Sequence, residues 1–291
     1  MVYVRLNVKE CRLGNWLLSY ASAVSQRPED PVTFVLVNSQ TAEDHDPKRR
    51  SELWPEAKYE TCTGQNCASC KKCIKQCWGV EGFDQAVVQR RLVCPDRIRK
   101  IIVEKFGDVL NHAVSIGVRR GDYLWLPHSH PFVGKEYLRN AVFKFPVGTT
   151  FIVNSDAIPW CKRFFTAKRF PGMRFVFSEG QDMLTDLFLP TFCDHNIICN
   201  STFHWWGAYL NQHPNKRVIA PSIWLGIASH GDPWCRDRVF DGYEIIDNHH
   251  GLLQHYWALL FWTIQSMING SRRHIPGARR LIRFLLRPIK R

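Results

Sequence analysis

The apolar positions divide this chain into short α/β units. Their pattern predicts a strand from Val2 to Val8, a helix from about Asn15 to Ser25 and a strand from Val32 to Val37, together a βαβ beginning. From Asn38 to Trp78 the chain is polar and irregular, which reads as an inserted segment. The pattern resumes at Asp96 to Phe106, a capped helix that carries Ile98, Ile101 and Ile102 inward. Val114, Ile116 and Val118 mark a buried strand, Phe151 to Asp156 marks another, and Asp194 to Ile198 holds a short third. An Asn-Ser-Thr junction and an aromatic helix follow, and Lys216 to Pro221 is the next strand. The expectation is an α/β fold in two halves, the second beginning near Ala113, with no internal repeat or low-complexity tract.

Chemistry collects where these strands end. Arg119-Arg120-Gly121-Asp122-Tyr123 follows a buried strand directly, the usual place for ligand contacts in α/β folds. Two guanidiniums there suit an anion, and bidentate geometry favours a diphosphate. The competing reading is a surface turn laced by salt bridges. Further on, Ser201 or Thr202 fits a helix N-cap, and the N–H groups behind it, with the helix dipole, form a second anion seat. Asn154, Ser155 and Asp156 end another strand and could hold a ribose or base. For Trp205 and Trp206 the simplest reading is core packing.

Four blocks of this chain resemble the α-1,2-fucosyltransferases of bacterial type. They are Arg12-Leu13-Gly14-Asn15 with Tyr20-Ala21; Val118-Arg119-Arg120-Gly121-Asp122-Tyr123; Asn154-Ser155-Asp156 with Trp160-Cys161; and Ser201-Thr202-Phe203 with Trp205-Trp206-Gly207-Ala208-Tyr209-Leu210. They occur in the family's order between about Leu6 and Leu225. The resemblance implies two facing Rossmann-like domains of the GT-B glycosyltransferase type. With the element pattern it gives an acceptor-side domain at 1–112 with a Cys-rich insertion at about 60–78 and a donor domain at 113–250, while the basic helical tail expected at 251–291 lies outside the resemblance. It also implies a metal-independent, inverting transfer of L-fucose from GDP-L-fucose to the 2-hydroxyl of a galactoside, with no cofactor required.

Residue by residue, the resemblance makes Arg119 and Arg120 the main contacts to the diphosphate and places Ser201 and Thr202 at the phosphate seat. Asn154, Ser155 and Asp156 complete the donor set, and Arg12, Gly14, Asn15 and Trp16 fall at the cleft. Where the family commonly has histidine this chain has Gly117, and where it commonly has glutamine it has Trp16, which reads as an altered acceptor pocket. Loss of the sugar diphosphate builds negative charge, and fixed cations aimed at that charge are the strongest stabilisers available without a metal. Arg119 suits that role. A carboxylate should take the acceptor proton, and Asp122 is the nearest, although it reads equally well as a partner of Arg119 or Arg120. His128, His130 and Glu136 are stand-ins.

Charge adds a surface. Of the formal net charge of +13, the stretch Arg272 to Arg291 contributes eight basic residues and no acid. On a helical wheel Arg279, Arg280, Arg283 and Arg287 face away from Leu281, Ile282, Leu285 and Leu286, the pattern of a helix lying on an anionic membrane surface. Nucleic acid is not the expected partner, because these charges do not run through a folded groove. Met1 to Asn7 shows no leader, so a cytoplasmic enzyme on the inner membrane face is expected, acting on a surface or lipid-linked oligosaccharide. In that compartment the 11 cysteines should be mostly thiols, with Cys161, Cys193 and Cys199 in the core. Cys67, Cys70, Cys73 and Cys77 have ferredoxin-like spacing, and zinc, thiols or a disulfide, and a redox cluster compete there. Two further readings stay open: another linkage of fucose, and a Cys-rich metal-binding interaction protein on a degenerate transferase fold.

Overall fold

The computed structural model describes residues 1–7, 13–37, 52–55, 57–62, 73–74, 82–125, 130–225 and 242–248. It opens with the expected unit: strand β1 (Val2–Asn7), helix α1 (Leu13–Gln26) and strand β2 (Val32–Val37), the strands parallel and paired from Val2 with Val32 to Asn7 with Val37. The polar segment is more than an insertion. It adds β3 (Lys58–Cys62) beside β2 and β4 (Cys73–Ile74) beside β1, both parallel, for a sheet of order β3-β2-β1-β4. Edge strands take their geometry from a neighbour's hydrogen-bonding groups, so Lys58-Tyr59-Glu60-Thr61-Cys62 needs no apolar run.

Helix α2 (Gln85–Arg91), absent from the sequence expectation, starts at Asp84, whose carboxylate accepts from the Val87 N–H at 3.0 Å. Helix α3 (Asp96–Leu110) buries Ile98, Ile102 and Phe106, four residues apart, and leaves Ile101 only half-buried at the margin of that face. Its cap position is Pro95, without a side-chain cap, so Asp96 belongs to the first turn.

The second sheet contains β5 (Val114–Val118), β6 (Thr150–Ser155), β7 (Arg174–Phe177), β8 (His195–Ile197), β9 (Val218–Pro221) and β10 (Glu244–Ile246), all parallel. Between them lie α4 (Lys135–Val142), α5 (Ile158–Phe164), α6 (Met183–Phe188) and α7 (Thr202–Leu210). The order β10-β9-β8-β5-β6-β7 puts β5 against β8, with the chain winding outward from that pair in both directions. In such a sheet the crevice at the carboxyl ends of the two central strands is the natural ligand site.

On one face of this sheet Val114, Ile116, Val118, Phe151 and Val153 pack with Tyr137, Leu138 and Phe164. On the other, Ile152, Leu187, Phe188 and Trp206 join a cluster that continues through Trp16 and Leu17 of α1 to Val4 and Phe34 of the first sheet. Trp205 and Trp206 are core residues, as are Cys161, Cys193 and Cys199. Arg12, the tail at 251–291 and Cys67, Cys70 and Cys77 lie outside the described residues, and Cys73 enters only as main chain of β4. No helix among the described residues is long and apolar enough to cross a membrane.

Candidate active site

The five residues of β5 are all buried, and the chain leaves the sheet at Arg119. The Arg119 guanidinium is held by two carboxylates: Nη2 donates to Asp122 Oδ1 at 2.8 Å, and Nη1 lies 2.9 Å from Asp156 Oδ2. The other Asp156 oxygen accepts from the Arg120 main-chain N–H at 2.9 Å. Gly121 makes this approach possible, because a Cβ there would stand 2.5 Å from Asp156 Oδ2. Asp122 is thus a partner of Arg119, one of the two roles its sequence position left open.

Arg120 is held differently. Its guanidinium carbon sits 4.0 Å from the centroid of Trp160 and 5.3 Å from that of Phe132, with no ion pair to a carboxylate among the described residues. Burial pulls its pKa below the ordinary guanidinium value, against the opposing influence of Cys161 and Asp156. Arg119 thus has two carboxylate counter-charges, whereas Arg120 is held by aromatic rings. Chain order alone could not separate the two; Trp160, four residues beyond Asp156, was the available signal for an aromatic clamp.

Across the switch point, Ser201 takes the N-cap position of α7 in extended conformation but makes no side-chain cap. The first-turn N–H groups are left without a side-chain cap, in the geometry of an anion seat. Tyr123 ties the loops after β5 and β8 together, its hydroxyl donating to the Asn200 carbonyl at 3.1 Å, and burial pushes that phenol well above its usual pKa. His130 stacks on the Tyr123 ring at 4.9 Å, Glu136 is exposed, and His128 is outside the described residues.

The first sheet reaches this site through α1. Thr202 Oγ1 donates to Asn15 Oδ1 at 3.2 Å and Trp206 Nε1 donates to the Gly14 carbonyl at 2.9 Å, contacts that span 187 and 192 residues. Gly14 lies directly on Thr202 and Phe203, where a Cβ would be 2.9 Å from the Phe203 nitrogen. Trp16, expected at an acceptor pocket, is fully buried; its side chain fills the core and offers no surface to a cleft. Asn154 and Ser155 are likewise engaged inward: Asn154 Nδ2 donates to the Asp186 carbonyl at 2.7 Å, and Ser155 Oγ accepts from the Ala157 N–H at 2.9 Å. They support the strand end, with Asp156 as the member that reaches the arginines.

The O-antigen biosynthesis glycosyltransferase WbnK of Escherichia coli is 36% identical over 121 residues, 39% of this chain and 39% of that protein. An alpha-1,2-colitosyltransferase of Escherichia coli is 30% identical over 132 residues, 42% of this chain and 45% of the relative. A galactoside alpha-(1,2)-fucosyltransferase 1 of Leontopithecus chrysomelas is 32% identical over 121 residues, covering 39% of this chain and 33% of its own length. Each match therefore spans less than half of the relative. The fucosyltransferase NodZ from Bradyrhizobium superposes with a TM-score of 0.40 at 14% identity over 71% of this chain and 91% of its own, too loosely to bear on the fold. The model of glycosyl transferase family 11 matches residues 54–224, more than half of the chain and the whole of the arginine and α7 site, so the chain belongs to glycosyl transferase family 11.

Proposed function

We propose that this protein transfers L-fucose from GDP-L-fucose to the 2-hydroxyl of a galactoside, with inversion. The observation that carries the reading is the meeting, at the β5–β8 switch point, of the ring-clamped Arg120, the carboxylate-held Arg119 and the uncapped start of α7. Such an array suits the charge that grows on a departing diphosphate. In this reading Arg120 and the α7 N–H groups take the phosphates, Arg119 fixes the loop and adds field, and Ser201 and Thr202 line the seat. Asp122, besides holding Arg119, takes the acceptor proton. Gly14 and Asn15 bring the acceptor side against the donor site. Residues 1–112 then form the acceptor domain and 113–250 the donor domain. The names of the fucosyl- and colitosyltransferase relatives support a 6-deoxyhexose or a close analogue as the moving sugar.

The test is transfer from GDP-fucose to lactose, with product linkage read by NMR. Arg120→Ala should lower kcat/KM for the donor by about a hundredfold, and Arg120→Lys should recover little, because an ammonium does not stack as a planar guanidinium does. A folded Arg120→Ala protein with near-normal turnover would remove the donor-site assignment. No turnover by the intact protein, together with stoichiometric zinc or iron, would favour the Cys-rich binding protein instead.

A further inference from the structure

Behind the arginine pair lies a buried contact that the proposed chemistry does not use. The His204 side chain lies flat over Gly117: a Cβ on residue 117 would stand 2.5 Å from its Cδ2 and Cγ and 2.9 Å from its Cβ. Its Nδ1 is 3.0 Å from the sulfur of Cys199, and both residues are buried, at 6% and 0% exposure. Cys199 belongs to the lead-in between β8 and α7, and His204 to the first turn of α7. The contact therefore ties the helix start to its own approach, while the imidazole rests on the strand that ends in Arg119.

Burial, and secondarily the Arg119 charge, lower His204 to about 3, so the imidazole is neutral at working pH. Burial raises Cys199 to about 12, against an opposing hydrogen bond from the Arg119 main chain, so the sulfur is a thiol. A thiol can donate to Nδ1 of a neutral imidazole, which leaves the ring proton on Nε2. A polar ring at this depth is costly without such a partner, and an aliphatic side chain could fill the same volume at no such cost. Packing alone does not call for histidine here.

We propose that His204 is a positioning residue of the diphosphate site: seated over Gly117 and bonded to Cys199, it sets the spacing between the Arg119 end of β5 and the N–H groups that open α7. The inference rests on the reading of that site as the donor seat. It assigns a role to Gly117, which leaves the space the imidazole occupies.

The experiment uses the full chain and GDP as probe. GDP affinity by calorimetry, donor KM and kcat, and thermal melts are compared for wild type, His204→Leu and His204→Asn. Asparagine can place an amide group near Nδ1 and keep the bond to Cys199, whereas leucine fills space without it. His204→Leu should weaken GDP binding and raise donor KM about tenfold while changing kcat less, and His204→Asn should return GDP affinity to within about threefold of wild type. If His204→Leu does not fold, Cys199→Ala against Cys199→Ser tests the same bond, with serine expected to retain GDP affinity. Equal GDP affinity in His204→Leu and wild type, or no advantage of asparagine over leucine or of serine over alanine, would overturn the proposal. Failure of the wild type to bind GDP would instead remove the donor reading itself.

Discussion

Gly14→Ala tests whether the two sheets meet as described. The new methyl would stand 2.9 Å from the Phe203 nitrogen and 3.0 Å from the Thr202 carbonyl carbon, nearer still to Thr202 Oγ1. Main-chain atoms cannot turn aside as a side chain can, so α1 and α7 must separate by about 0.5 Å to reach ordinary contact. That shift stretches the Thr202–Asn15 and Trp206–Gly14 hydrogen bonds together. Overpacking of this kind costs about 1–3 kcal/mol, and alanine returns up to about 1 kcal/mol of helix propensity at an ordinary helical position. A net loss of about 1–2 kcal/mol corresponds to a melting temperature lower by roughly 2–8 °C. The matched control is Gly107→Ala on the exposed face of α3, where the nearest atom to the new methyl is 3.8 Å away. That substitution should stabilise by about 0.5–1 kcal/mol. Differential scanning calorimetry on both proteins decides the matter. A Gly14→Ala protein that melts at or above wild type would refute the close packing of α1 on α7.

Gly117→Ala should weaken GDP binding by displacing His204, and the same substitution in a His204→Ala background should add little, a coupling that calorimetry on the four proteins of the cycle would read. Burial raises the Asp186 carboxyl to about 6, with a bond from Ser178 opposing the rise. Below about pH 3 the group is protonated in folded and unfolded chains alike; as pH climbs to 6 the unfolded chain ionises first, so the folded state loses stability over that window. Asp186→Asn should accordingly be more stable than wild type at pH 8 by about 1–3 kcal/mol, with the difference gone by about pH 3, as checked by urea titrations at both values. A chain ending at Gly270 should lose binding to anionic vesicles and keep its rate on a soluble galactoside; equal vesicle binding by both proteins would remove the membrane role proposed for the basic tail.

The order of strands and helices was legible where one segment's own periodicity decides it. Val114, Ile116 and Val118 read as a buried strand and the junction at Ser201 or Thr202 as a helix start, and both elements form there. The strand-end arginines and the start of α7 could be placed at one site by the α/β rule alone. Edge strands β3 and β4 were not legible, because their pairing is dictated by β2 and β1 rather than by an apolar face of their own. From sequence, the charge-stabilising role falls to Arg119 without sight of the partners that distinguish it from Arg120. The difference between the two arginines depends on Asp156 from the turn after β6, Trp160 from α5 and Phe132 from the loop before α4, groups that only the folded sheet brings around them. The same holds for Trp16, whose burial follows from α1 being enclosed on all sides, and for His204, which looks like one aromatic among several until Gly117 is seen beneath it. Local pattern determines which residues form an element and where it ends, since those choices are made within a few residues. Which charges are neutralised and which stay available is decided by partners that are distant in the chain, and only tertiary packing supplies them.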